Sequence, residues 1–206
     1  MEKSRINSDK LKFIDEEKRG KLIHAFKCVF SCAAGLLLAH AKIFGRLSPL
    51  ALAFSAAAVQ PYALAAAVGS LLGYLLSFSG TEGIRYMACV AGTALINFSV
   101  NRLRGEDCVR RTAPVSAALC CASTGMAVLL VEGFTLNGVV GFLSDCILAG
   151  GMTYFFSRSL RLTERKNKSN ALGRHDIICI AVSCCAALTA FARLNILNFR
   201  PAGTAA

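Results

Sequence analysis

The sequence predicts an all-α protein, a polytopic bundle of transmembrane helices with six to seven spans that include a short hairpin or re-entrant pair. Of the 206 residues, 55% are hydrophobic, which exceeds the apolar share of an average soluble domain. These residues stand in long uncharged runs, and most of the 23 Lys and Arg residues cluster between the runs. Uncharged runs of this kind are typical of helices that cross a lipid bilayer.

The chain opens with a basic tail, residues 1–24, which holds seven Lys and Arg residues between positions 3 and 21. The first span is predicted at residues 25–44. A cleaved signal peptide is disfavoured because the tail is long and carries acids at positions 15–17, and the apolar run continues past the cleavage-like residues 39–41. We therefore expect an uncleaved first span.

The next stretch, residues 47–78, is too long for one span. As a single helix its 32 residues would rise about 48 Å, against a hydrocarbon core of about 30 Å. Gln60 and Pro61 break it near the middle, because proline disfavours a helical conformation in the residue before it. The halves, 47–59 and 62–78, form either a thin two-span hairpin or a re-entrant loop, and both return the chain to its starting side.

Four further spans are predicted at residues 84–100, 112–131, 136–156 and 176–192, which completes a transmembrane domain over residues 25–193. Residues 194–206 form a short tail. Because so few residues follow the last predicted span, we expect that the helical bundle is interrupted at this point. The connections after residues 100 and 156 are basic, and the residues that make them so are Arg102, Arg104, Arg110, Arg111, Arg158, Arg161, Arg165, Lys166, Lys168 and Arg174.

The charge distribution predicts the orientation. With the N-terminus inside, the inner segments carry seventeen Lys and Arg residues, and the outer ends and turns, Arg85 among them, carry five. Cytoplasmic segments of membrane proteins show this bias. We therefore expect a multi-pass plasma-membrane protein with a cytoplasmic N-terminus and the lipid bilayer as its partner.

Binding through the basic loops is a weaker alternative. Spans separate the basic patches, so they make no continuous surface for nucleic acid unless the fold gathers them on one side, and we expect no nucleic-acid partner. Attraction to anionic lipids, about 1 kcal/mol per basic residue near the surface, is expected of any such loop.

Asp145 is the one acid deep in a predicted span, which makes it a candidate functional residue. It could be protonated, bind a cation or pair with a basic residue. We favour a structural alternative, a hydrogen bond to Asn97, Ser144 or the backbone, because no second acid, His or Lys accompanies it.

Two other pairs of residues predict helix packing. Asn97 and Asn101 are four residues apart and share a helix face, which suits hydrogen bonds between helices. Gly69 and Gly73 form a small-xxx-small pair that favours close helix packing, within the chain or between two copies.

No motif indicates catalysis or a cofactor. The ten cysteines include no C-x-x-C pair, so neither a metal site nor a redox site is expected. No P-loop, nucleophile elbow, zinc-protease motif or dinucleotide fingerprint occurs. We expect a chain that is not itself an enzyme.

The order of these segments resembles a known family. A basic tail and a first span lead to the short Pro/Phe/Ala segment at residues 44–54, FGRLSPLALAF, and then to a small hairpin partner at 62–80. A long basic loop later enters a helix through RHDIIC, residues 174–179. Over most of residues 20–195 the chain resembles the N-terminal membrane region of the stage II sporulation protein E family.

The resemblance implies a membrane anchor and assembly module that localises a protein-serine phosphatase to the asymmetric division septum during sporulation. It implies division-ring and septal proteins as partners. The family's metal-dependent phosphatase domain has no counterpart here, which suggests a chain truncated before that domain.

A second hypothesis is a small solute transporter or the substrate-binding membrane subunit of a vitamin-type importer. Asp145, Asn97 and the hairpin would then line a binding site. Such a site requires several polar groups that converge on one pocket.

Overall fold

The computed structural model describes residues 2–41, 43, 47–78, 80–164 and 173–193. Apart from one bridge between Ile43 and Leu47, the regular structure in these ranges is helical, which confirms the all-α class. Arg165, Lys166, Lys168 and the tail 194–206 lie outside the described residues. The helices are α1 (Glu2–Ala39), α2 (Pro49–Ala57), α3 (Tyr62–Ser77), α4 (Thr81–Arg104), α5 (Glu106–Glu132), α6 (Leu136–Glu164) and α7 (Arg174–Arg193).

Five segments in the described part are long and apolar enough to cross a membrane. They are Arg19–Ala39, Thr81–Arg104, Glu106–Glu132, Leu136–Leu162 and Arg174–Ala192. Helix α3 is apolar but shorter, and α2 has only nine residues. The membrane class is therefore supported, while the count of six to seven spans stays a prediction.

Helix α1 joins the predicted tail to the first span. It runs over 38 residues without a break and ends at Ala39, earlier than the predicted span end at residue 44. Its apolar candidate span begins at Arg19, after most of the basic residues of the tail.

Helix α2 lies at the centre of the bundle. All of its residues are buried, and it contacts α1, α3, α4, α5 and α6. Nine residues rise only about 14 Å, and the chain continues through the non-helical residues 58–61, which include the cis Gln60–Pro61 bond. The surrounding helices enclose α2 itself, whereas this non-helical stretch becomes more exposed along its length, from the buried Ala58 to the exposed Pro61.

Helices α1 and α3 run parallel. The His24 ring lies 5.3 Å from the Tyr62 ring at the start of α3, and Gly73 near its end lies against Leu36 and Ala39. The chain must therefore return from the end of α1 to its middle before α3 begins. Helix α2 and residues 58–61 make this return.

The two ends of the bundle differ in charge. Asn97 on α4 contacts Ser116 on α5, and Arg158 near the end of α6 pairs with Asp176 at the start of α7. These antiparallel contacts gather most basic residues of α4 to α7 at one end, which we call the basic end; Arg85 and Arg193 are exceptions at the other helix ends. The turns near Ser48, Gly80 and Gly133 lie at the opposite end.

Many large apolar side chains point outwards. Most buried residues are small, namely Ala, Cys, Ser and Gly, and the larger buried ones are two tyrosines and a few Leu, Phe and Val residues, whereas a water-soluble protein buries most of its large apolar residues. Small residues at helix contacts are typical of membrane bundles. The large apolar residues that are more than half exposed include Phe26, Phe30, Leu75, Leu95, Leu119, Val131, Ile147 and Leu188.

Candidate functional site

Asp145 sits in the interior of the bundle with no exposed side-chain surface, and it has two partners. The Arg85 guanidinium forms an ion pair with its carboxylate. The Tyr86 hydroxyl donates to the same carboxylate, at 2.8 Å from Oδ2 and 3.0 Å from Oδ1. A basic residue therefore balances the charge of the buried acid.

The same tyrosine connects Asp145 to the start of α2. Its hydroxyl accepts a hydrogen bond from the Ser48 N–H at 3.1 Å. Tyr74 on α3 donates to the Ser48 carbonyl at 2.5 Å and accepts from the Leu52 N–H at 3.1 Å. The first turn of a helix leaves N–H groups without partners inside the helix, and these tyrosines bind the backbone around that turn.

These residues, Arg85, Tyr86, Asp145, Ser48 and Tyr74, form what we call the Asp145 network. It joins α3, α4 and α6 to the start of α2. The Tyr74 and Tyr86 rings stack with centroids 5.2 Å apart, and the Arg85 guanidinium lies 4.8 Å from the Tyr86 ring centroid. The network combines aromatic packing with an ion pair whose two charges cancel.

Sequence reasoning missed the contacts of Arg85. We expected it among the outer ends and turns, and it does stand at the end of the bundle opposite the basic end, but its side chain is only 14% exposed and turns into the bundle. Arg85 is the fifth residue of α4, and a long side chain there can reach a partner deeper in the bundle. The available signal was the sequence Arg85-Tyr86, a cation and a hydroxyl donor next to each other at the start of a span.

The structure does not bring Asn97 to Asp145. The Asn97 amide donates to the Ala56 carbonyl at 3.0 Å, and its oxygen accepts from Ser116 at 3.2 Å. Ala56 is in the last turn of α2, where carbonyls lack partners inside the helix. Asn97 thus binds the end of α2 as the tyrosines bind its start. Asn101 and Gln60 line a small cavity beside it.

Gly69 and Gly73 lie where α3 meets α1. A Cβ on Gly69 would collide with the Cys32 backbone, and one on Gly73 would lie 2.6 Å from the Ala39 Cβ. Gly35 on α1, which the sequence analysis did not select, has the same role, because a Cβ there would lie 2.6 Å from the Ala66 carbonyl oxygen. The close approach of the two helices requires these glycines.

A second polar site is a cavity of about 500 Å³ at the basic end, between α5, α6 and α7. We call it the basic cavity. Arg110, Arg111, Arg158 and Arg161 line it, together with Asp107, Asp176, Ser157, Pro114, Tyr154 and Leu162. Arg102 and Arg104 in the last turn of α4, and Arg174 at the start of α7, are not among its lining residues.

The described residues contain no group of three or more His, Cys, Asp or Glu side chains that could hold a metal ion. In the Asp145 network the polar atoms mainly bind one another, and neither the basic cavity nor the cavity beside Asn97 includes Asp145. The geometry of the network therefore suits the positioning of helices.

The family model described as SpoIIE, N-terminal domain, matches residues 2–201. The chain belongs to this family. The resemblance found in the sequence is thereby confirmed, and the domain is the non-catalytic membrane part of SpoIIE. Among curated proteins and among solved structures, none matches the chain.

Proposed function

We propose that this chain is the membrane anchor and assembly module of a SpoIIE-like protein, and that it localises a protein-serine phosphatase to the asymmetric division septum during sporulation. The family match over almost the whole chain carries this proposal. The apolar outer surface and the internally bonded Asp145 network agree with an anchor role. The partners would be division-ring and septal proteins, and the chain itself would carry no phosphatase activity.

The basic end of the bundle would face the cytoplasm. It carries Arg102, Arg104, Arg110, Arg111 and Arg158, and Lys and Arg residues are enriched on the cytoplasmic side of membrane proteins. The same orientation puts the start of α1 on the cytoplasmic side, because His24 lies beside Tyr62 and Gln60 lies beside Asn101.

The central hairpin would cross the bilayer twice. Ser48 binds the Ala39 carbonyl at the end of α1 with a 3.0 Å hydrogen bond, whereas Tyr62 lies beside His24. The intervening length of α1 spans about 22 Å, which is most of a hydrocarbon core. Because the hairpin extends over this length of α1, a two-span hairpin is favoured over a shallow re-entrant loop.

The transporter alternative finds less support. Asp145 and Asn97 belong to separate hydrogen-bond clusters, at the start and at the end of α2. A solute site would require polar groups that converge on one pocket.

Fluorescence microscopy of this chain fused to a fluorescent protein tests the proposal. In sporulating cells of a spore-forming bacterium, we expect a band at the asymmetric septum that is stronger than the band of an unrelated multi-pass protein with the same tag. Uniform membrane fluorescence in those cells, at an expression level matched to the control, would contradict it.

A further inference from the structure

We propose that the basic cavity binds the phosphate group of an anionic phospholipid. The cavity, of about 500 Å³, lies at the basic end between α5, α6 and α7. Its lining holds four arginines against two aspartates, so an anion would be attracted to it. Sites that hold whole small molecules have volumes of several hundred Å³.

The charges in the lining are partly held in place. The Arg158 Nε donates to Asp176 Oδ1 at 2.8 Å, and this pair links α6 to α7. Arg111 and Arg161 form no ion pair with any residue in the described ranges. A guanidinium group presents a planar set of donors that matches the oxygens of a phosphate.

A neutral donor stands in the same lining. The Ser157 Oγ is inaccessible to solvent and has no hydrogen-bond partner among the described residues. A buried polar atom without a partner costs free energy, so a phosphate oxygen that accepts from this hydroxyl would remove that cost. The arginines and the serine therefore favour the same type of ligand.

The position of the cavity favours a lipid over a soluble phosphate. The candidate span of α6 runs to Leu162, and this residue lines the cavity together with Pro114 and Tyr154. Val115 and Ile177, next to the lining residues Pro114 and Asp176, expose apolar side chains. A lipid headgroup in the cavity could therefore lay its acyl chains along these faces, and basic pockets between transmembrane helices do bind anionic headgroups.

Native mass spectrometry of the full purified chain tests the proposal, with phosphatidylglycerol or phosphatidylcholine added in detergent. We expect the dissociation constant of the phosphatidylglycerol complex to be about tenfold lower than that of the phosphatidylcholine complex. The double variant Arg111→Gln/Arg161→Gln should lose most of this preference. The matched control, Arg102→Gln/Arg104→Gln, removes the same charge from α4 outside the lining and should keep it.

A second double variant controls for misfolding. Arg111→Lys/Arg161→Lys keeps the charge but removes the planar donors, and we expect an intermediate loss of the preference. Equal loss in the matched control would show attraction to surface charge in general and overturn the proposal. Equal binding of the two lipids would do the same. If glycerol 3-phosphate displaces phosphatidylglycerol at similar concentrations, the ligand is a soluble phosphate and the lipid assignment is wrong.

Discussion

Arg85 on α4 and Asp145 on α6 form an ion pair inside the bundle, and the Tyr86 hydroxyl donates to the same carboxylate. Among the described residues, Asp145 is the one acid that is fully buried. Because Tyr86 also binds the backbone before α2, this pair helps to hold a nine-residue helix that is too short to cross a bilayer alone.

The ion pair predicts a distinctive pattern of stability. Removal of one partner leaves a buried charge without compensation, which costs about 3–5 kcal/mol. We expect Asp145→Ala and Arg85→Ala each to lower the thermal midpoint in detergent strongly. The double variant Arg85→Leu/Asp145→Leu should be more stable than either single variant, and a double variant less stable than both would contradict a paired role.

The two tyrosine hydroxyls should each contribute to stability. Tyr74→Phe and Tyr86→Phe keep the stacked rings and remove only the hydrogen bonds to Ser48, Leu52 and Asp145. Each lost buried hydrogen bond that leaves a group unsatisfied costs about 1–3 kcal/mol. Thermal unfolding measures the effect, with Tyr154→Phe as the control because Tyr154 is 46% exposed. Equal stability of all three variants would show that the hydroxyls are dispensable.

Gly69 is predicted to tolerate no side chain. In Gly69→Ala the new Cβ would collide with the Cys32 backbone, and such overpacking costs about 1–3 kcal/mol. Gly141→Ala is the matched control, since nothing lies within 4 Å of a Cβ at that position. Thermal midpoints should fall for the first variant and hold or rise for the second. The reverse order would show that α1 and α3 do not pack as described.

Asn97 should matter more than Asn101, although both lie on one face of α4. Asn97→Ala removes the donor to the Ala56 carbonyl and the acceptor of the Ser116 hydroxyl. The unsatisfied groups should cost about 1–3 kcal/mol. Asn101→Ala serves as the control at the adjacent position of the same face. Hydrogen exchange at the end of α2 should increase in the first variant, and an equal increase in both would contradict the assignment.

The helical membrane class follows from the sequence because a single physical cause produces the pattern, whereas the family came from a resemblance in the order of the segments. Lipid requires long apolar helices with their basic connections outside the hydrocarbon, and both features are read along the chain without knowledge of the contacts. The break at Gln60 and Pro61 can also be predicted from the sequence, because proline disfavours a helical conformation in the residue before it.

The sequence does not predict which residue pairs with Asp145, because the pairing depends on the directions of the side chains. Asp145 and Tyr86 are 59 positions apart, and Arg85 stands near the start of its helix, where solvation is the ordinary expectation. The central burial of α2 was equally hidden, since an apolar segment in lipid and an apolar segment inside a bundle have the same composition.

Topology reporters test the central claim most directly, since it requires these helices to cross a membrane with the basic end in the cytoplasm. Fusions truncated at Gly105 and at Gly133, which end α4 and α5, can carry either green fluorescent protein or alkaline phosphatase. The account predicts fluorescence only at Gly105 and phosphatase activity only at Gly133. The opposite pattern, or recovery of the protein in the soluble fraction, would contradict it.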